Sequence, residues 1–175
     1  MSPPNQTIGD HPQLGRLLVE DSYPTLWSSQ SVGIYEIGFS IVEKKKTDIF
    51  IFSDVISFSY SRESRFANGT AVGLFYKYQI SLNSEDSREL IFRVPTVIKK
   101  ELRRMFGLSF LPNIPHSYHV NPECDVLLDS LSAALQKAEE TSDLRLTEDF
   151  AQAVQVESQQ NHWRRDTIRF PSSIV

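Results

Sequence analysis

The feature that most narrows what this chain can fold into is a strict period of two over residues 72–82. There Val72, Leu74, Tyr76, Tyr78, Ile80 and Leu82 alternate with Gly73, Phe75, Lys77, Gln79 and Ser81. A helix of about 3.6 residues per turn cannot bring every second residue to one face, whereas successive side chains of a strand point to opposite faces. The segment is therefore a half-buried strand, with Lys77 and Gln79 toward water. Just upstream, Asn68-Gly69 supplies residues that tolerate positive φ and marks a turn. Before it, Ile56, Phe58 and Tyr60 alternate with Ser57, Ser59 and Ser61 as a strand with one polar face. After Leu82 the run 83–87 is turn chemistry, and Leu90, Phe92 and Val94 resume the alternation.

Further upstream, Tyr35, Ile37, Phe39 and Ile41 are expected to form a first strand, with residues 44–48 as its turn. Residues 49–52 are apolar on both faces, which predicts a central or doubly covered strand. Asp54 breaks it from the strand 55–61. Together residues 32–94 read as a run of antiparallel strands around one hydrophobic core.

The flanks divide the chain into a flexible leader over 1–13, a domain over 14–140 and a C-terminal extension over 141–175. Residues 14–20 fit either a strand or a single helical turn, and Tyr23, Pro24, Leu26 and Trp27 are expected to cover an open end of the sheet. Pro95 ends the last strand, because it has no N–H for the ladder. Residues 96–106 are expected to be helical, with Val97, Ile98, Leu102, Met105 and Phe106 on one side and Lys99, Lys100, Arg103 and Arg104 on the other. Residues 108–121 read as a connecting loop. Asn121 as cap and Pro122 at the first helical position then open a helix over 122–139. Its stripe is Cys124, Leu127, Leu128, Leu131, Leu135 and Ala138, and the sheet is the large apolar surface available to bury it. A short helix is expected over 147–160 with Thr147 as cap, Val154 and Val156 pointing in different directions. The fold class is α+β, mainly antiparallel β, a barrel or sandwich closed by the amphipathic helix.

Composition narrows function by exclusion. A hydrophobic content of 40% with 11% aromatics suffices for a core. A net charge of −4 and a pI near 5.6 argue against a general nucleic-acid binder, whose affinity rests on many phosphate contacts by Lys and Arg. Cys124 is the one cysteine, so no intramolecular disulfide forms. The first residues, MSPPNQTIGDHPQLG, have neither a basic region nor an apolar run of the secretory kind. No stretch approaches the ~18–20 apolar residues that span a bilayer, and a soluble cytoplasmic protein is the expectation.

The run GIYEIGFSIVEKKKTDIFIFSDVISFSY, a hairpin bearing Asn68-Gly69, and YKYQISLNSEDSRELIF together resemble an uncharacterised bacterial family with a pleckstrin-homology-like core. The resemblance lies in Tyr35 and Gly38, the apolar run 49–52, the Asp54-Val55 step and the strand 76–82. It covers about a third of the chain and rests on hydrophobic pattern. It implies a pleckstrin-homology-like barrel, a fold that serves lipid-binding, peptide-binding and purely structural roles. Members of such families often carry transmembrane helices before the barrel, and none is visible in this sequence.

Three groups of residues could carry chemistry. Lys44, Lys45 and Lys46 occupy the turn that in lipid-binding pleckstrin domains helps to hold an inositol phosphate. The following strand, 49–52, lacks Lys and Arg, and such a turn is more often a solvated hairpin tip. The Lys99, Lys100, Arg103 and Arg104 face could rest on an anionic membrane surface or an acidic partner, or be the water-facing side of a short helix. His116, His119 and Cys124 match no strong zinc spacing and lack an evident fourth ligand, so neither metal nor cofactor is expected. No Gly-rich phosphate loop, G-x-S-x-G elbow or H-E-x-x-H motif occurs, and the carboxylates are scattered over loops. The expectation is a non-catalytic binding or scaffold module for a protein partner, the rival being a peripheral module for anionic lipid head groups.

Overall fold

The computed structural model describes residues 9–24, 29–67, 70–83, 85–95, 124–160 and 168–171. Seven strands are described in chain order: β1 (Leu17–Pro24), β2 (Ser29–Tyr35), β3 (Gly38–Glu43), β4 (Lys46–Ile51), β5 (Val55–Ala67), β6 (Thr70–Leu82) and β7 (Ser87–Pro95). A 3-10 turn, Phe52–Asp54, separates β4 from β5, and two helices follow, α1 (Val126–Glu140) and α2 (Glu148–Gln160). Each strand pairs with its neighbour antiparallel, in two sheets of order β1-β2-β3-β4 and β5-β6-β7. Among the described residues no strand pairing joins the two sheets, so they are not closed into a barrel. The molecule is α+β, with one core fed by both sheets and both helices.

The alternation in β6 is realised as expected. Leu74, Tyr76, Tyr78 and Ile80 are buried, Lys77 and Gln79 exposed, and Val72 lies outside the described side chains. Phe92 and Val94 of β7 join the same face, Phe92 meeting Tyr78 edge-on at 5.2 Å between ring centroids. In β5 a bulge between Val55 and Ser57 shifts the phase. Ile56 is consequently 55% exposed, while Val55 and Phe58 enter the core. The strand also runs on to Ala67, well past the expected end at residue 61.

Two expected strands differ from the structure. Residues 35–41 are not one strand: Tyr35 ends β2, Glu36 and Ile37 turn, and Gly38 begins β3. The core face passes from even positions in β2, Val32 and Ile34, to odd positions in β3, Phe39 and Ile41, and the half-buried Tyr35 and Ile37 at the turn extend the odd-numbered spacing and mask the change. Gly38 is required at the bend, because a Cβ there would lie 2.1 Å from the Phe50 carbonyl oxygen. Nor are residues 49–52 a central strand. β4 is an outer strand of its sheet, Ile49 is 37% exposed, and Phe52 leaves the strand for the 3-10 turn. Phe39 and Phe50 stack at 4.7 Å, which places Phe50 in the core.

The ambiguous segment after Leu14 resolves into β1. Tyr23 sits within that strand, fully buried, instead of lying over an end of the sheet. Within the leader, His11 pairs with Gly15 across a tight turn.

The leucine stripe behaves as its spacing requires: Leu127, Leu128, Leu131, Leu135 and Ala138 are all buried, and α1 packs along β5 and the 3-10 turn. Its start differs from the expectation. Cys124 and Asp125 are not helical, and the cap is Asp125, whose side chain accepts the Leu128 N–H at 3.1 Å. Cys124 accordingly stands before the helix, half-buried, and is not part of the stripe. In α2, Val154 is buried and Val156 is 50% exposed, as their spacing implies. The connection between the helices is anchored at the β2–β3 turn, where the Leu146 N–H donates to the Glu36 carbonyl at 2.7 Å. Arg16 meets Glu148 at 2.6 Å beside it.

Candidate functional site

The lysine turn is the tip of a two-residue hairpin. Glu43 faces Lys46 in the ladder, leaving Lys44 and Lys45 as the loop. Lys44 adopts φ 57°, a left-handed conformation that is uncommon for a residue with a Cβ. Lys46 is tied to Asp48 at 3.0 Å on the same strand.

This tip forms one rim of an open cleft of about 760 Å³ whose other wall is β7. Ile41, Leu90 and Ile91 supply apolar surface, and Gln30 of β2 reaches the same space. The charged lining is mixed. Lys44, Lys45, Lys46 and Arg93 are set against Glu43, Asp48 and Glu89. Among the described residues neither Lys44 nor Lys45 makes an ion pair, while the Arg93 guanidinium lies 5.9 Å from the centre of the Phe75 ring. A polyphosphate is held by several cations converging without competing carboxylates. Here three carboxylates share the lining, and one of the lysines is already paired. The arrangement suits a ligand with charges of both signs and some apolar surface.

Of the basic residues singled out from the sequence, the structure brings Lys44, Lys45 and Lys46 to this cleft. Lys99, Lys100, Arg103 and Arg104, with the whole expected helix 96–106, lie outside the described residues, as do His116 and His119. Among the described residues no group of three or more His, Cys, Asp or Glu is placed to hold a metal ion. No described helix is long and apolar enough to cross a membrane.

A second polar cluster was not evident from sequence spacing. At the start of α1, three tyrosines from both sheets converge on the helix. Tyr23 of β1 donates to Asp125 Oδ1 at 2.9 Å, and Tyr76 donates to Asp129 Oδ1 at 2.8 Å. The Asp125 backbone N–H donates to the Tyr76 oxygen at 2.8 Å. Tyr78 donates to the Leu128 carbonyl at 2.7 Å, and Ser132 Oγ lies within 3.0 Å of the same phenol. Arg62 approaches Asp129 at 3.5 Å from the solvent side.

Burial raises the affinity of these acids for protons. It drives the Tyr76 and Tyr78 phenols well above the usual tyrosine range. Desolvation also raises Asp129, against the opposing pull of the Tyr76 hydrogen bond and Arg62. The Cys124 thiol is pushed up by burial, with Asp129 adding to the effect. The phenols are thus neutral donors whose bonds are made to the helix, and the cluster acts as a seam that fixes α1. The available signal was the pair Tyr76 and Tyr78 on a buried face, since a buried phenol demands a partner, together with Asp125 and Asp129 one helical turn apart.

No protein-family model matches this chain, and comparison with curated proteins and with solved structures finds no match.

Proposed function

We propose that this chain is a non-catalytic binding module of pleckstrin-homology-like fold that takes a protein partner at the cleft between the β3–β4 turn and β7, in the cytoplasm. The fold reading is supported by a seven-strand meander divided four and three, with an amphipathic helix following the last described strand. The observation that carries the functional reading is the lining of the cleft. Lys44 and Lys45 stand ready at one rim, Glu43 and Glu89 supply the opposite sign, and Ile41, Leu90 and Ile91 offer apolar surface. Protein surfaces carry this mixture, whereas a phosphoinositide head group carries one sign only.

Capture from a cell extract with charge-reversed controls tests the reading. A protein retained by the wild-type chain should be lost on Lys45→Glu and on Glu89→Lys. The rival is an anionic lipid surface, favoured by the two unpaired lysines at the turn. Vesicles rich in anionic lipid that pellet the chain, lose it with added salt and lose it on Lys45→Glu but not on Glu89→Lys would replace a protein partner by a membrane.

A further inference from the structure

β1 is an outer strand of the four-stranded sheet, so one row of its backbone groups faces away from β2. At Glu20 that row is occupied. The Glu20 N–H donates to the Arg169 carbonyl at 3.0 Å, and the Arg169 N–H donates back to the Glu20 carbonyl at 2.8 Å, closing one antiparallel bridge. The flanking Ile168 and Phe170 lie half-buried against the core, while the Arg169 side chain is exposed. Residues 168–170 therefore sit on the sheet as an added strand does. The main chain supplies hydrogen bonds, and alternate side chains supply the apolar contacts.

Nothing in that recognition depends on the segment belonging to the same chain. Its hold is also slight compared with the ladders inside the sheets. Among the described residues one is paired, against five between β2 and β3, and neither apolar residue is fully buried. A bare strand edge is a template for pairing with other chains, and this segment covers part of it.

We propose that the outer edge of β1 at Glu20 is a strand-addition site for an extended partner segment with apolar residues on either side of a central one, and that residues 168–170 occupy it in cis until such a segment displaces them. The chemistry of the occupant is read from the segment already seated there. Ile168 and Phe170 define the two apolar positions, and the exposed Arg169 marks a position that carries no side-chain requirement. A segment of the same chain has the advantage of a high local concentration, which for tethered partners is on the order of millimolar. A free peptide therefore competes poorly with it, and binds well only where the cis segment is removed. This surface is separate from the cleft at the lysine turn and does not depend on what binds there.

The test uses the full chain and a labelled synthetic peptide of sequence DTIRFP, corresponding to residues 166–171. Two variants release the edge by different means. Ile168→Asp with Phe170→Asp removes the apolar contacts, and Arg169→Pro removes the N–H that donates to Glu20. Fluorescence anisotropy should show the peptide binding each released variant at least about tenfold more tightly than the wild-type chain. A peptide with Asp at both apolar positions should not bind. Hydrogen exchange at the Glu20 amide should quicken in the variants and slow again when the peptide is added. Equal affinity for wild type and variants would overturn the proposal, as would absence of binding to variants whose circular dichroism is unchanged. Loss of the folded state in both variants would also overturn it, by making the segment an indispensable part of the core.

Discussion

The seam where α1 meets β6 and the cleft where the lysine turn faces β7 are both rich in polar groups, and they use them in opposite ways. In the seam, Tyr23, Tyr76, Tyr78, Asp125 and Ser132 are buried, and their polar atoms are joined across the two sheets and the helix. In the cleft, Glu43, Lys44, Lys45 and Glu89 are exposed, and none of them makes an ion pair among the described residues. A buried donor or acceptor left without a partner is destabilising by about 1–3 kcal/mol, whereas an exposed charge is satisfied by water. Each polar group in the seam is therefore committed to the fold. The groups in the cleft can exchange water for a ligand with little consequence for stability.

The sharpest way to break this contrast is to remove apolar support beneath the seam. Leu131 is fully buried in α1, so Leu131→Ala should destabilise the chain by about 2–5 kcal/mol. Against a typical stability of about 5–15 kcal/mol, thermal melts should show a large drop in Tm. An unchanged melt accompanied by loss of a self-associated species in size-exclusion runs would instead assign the stripe to an interface.

Tyr76→Phe tests the polar side of the same region. It removes the phenol oxygen that accepts from the buried Asp125 N–H and one of the donors to Asp129, and should lower stability by about 1–3 kcal/mol in urea titrations. The wild-type phenol ionises far less readily in the fold than at the ordinary value of 10.0. Its contribution is therefore complete below about pH 10 and falls as pH rises beyond it, so the variant should lose less stability than the wild type under alkaline conditions.

Asp129 offers a smaller test with a defined sign. Its folded carboxyl is raised above the ordinary value of 3.8, chiefly by burial. The folded state then holds the proton more tightly than the unfolded chain. The contribution of this group is greatest below pH 3.8 and is lost as pH rises through the raised value. Asp129→Asn keeps an acceptor for Tyr76 and has no proton to lose. The difference in urea midpoint between variant and wild type should move in favour of the variant as pH rises from about 3.8 toward neutrality. A constant difference would mean that Asp129 titrates normally in the fold.

Smallest in stability is the change at the lysine turn. Lys44→Gly relieves a left-handed residue and should leave the chain unchanged or up to about 1 kcal/mol more stable, while removing one cation from the cleft. Weakened partner binding together with an undiminished melt is the expected pair of results. Destabilisation on this change would place the turn with the seam, among groups that hold the fold.

Local patterning alone determined a good deal of this molecule. β6 and the stripe of α1 were legible because each buries one face, and the spacing of 74, 76, 78 and 80, or of 127, 128, 131 and 135, follows directly from the geometry of a single element. The lysine turn was legible as a hairpin tip for the same local reason. What the tertiary structure decided was relational. Whether residues 49–52 lie at the centre or the edge of a sheet depends on strand order, and strand order is set by residues far apart in sequence. The turn at Glu36 and Ile37 was hidden because Tyr35 and Ile37, half-buried at the bend, carry the odd-numbered apolar spacing of Phe39 and Ile41 back across it. The tyrosine seam was hidden because its partners are separated by about 50 to 100 positions, as in Tyr76 with Asp125 and Tyr23 with Asp125. The same holds for Lys44 and Glu89, which line one cleft, and for the pairing of Glu20 with Arg169 at the edge of β1. Periodicity records which face of an element avoids water. It carries no information about which distant residue will satisfy a buried phenol, complete a cleft or cover a free strand edge, because those choices are made only when the elements pack.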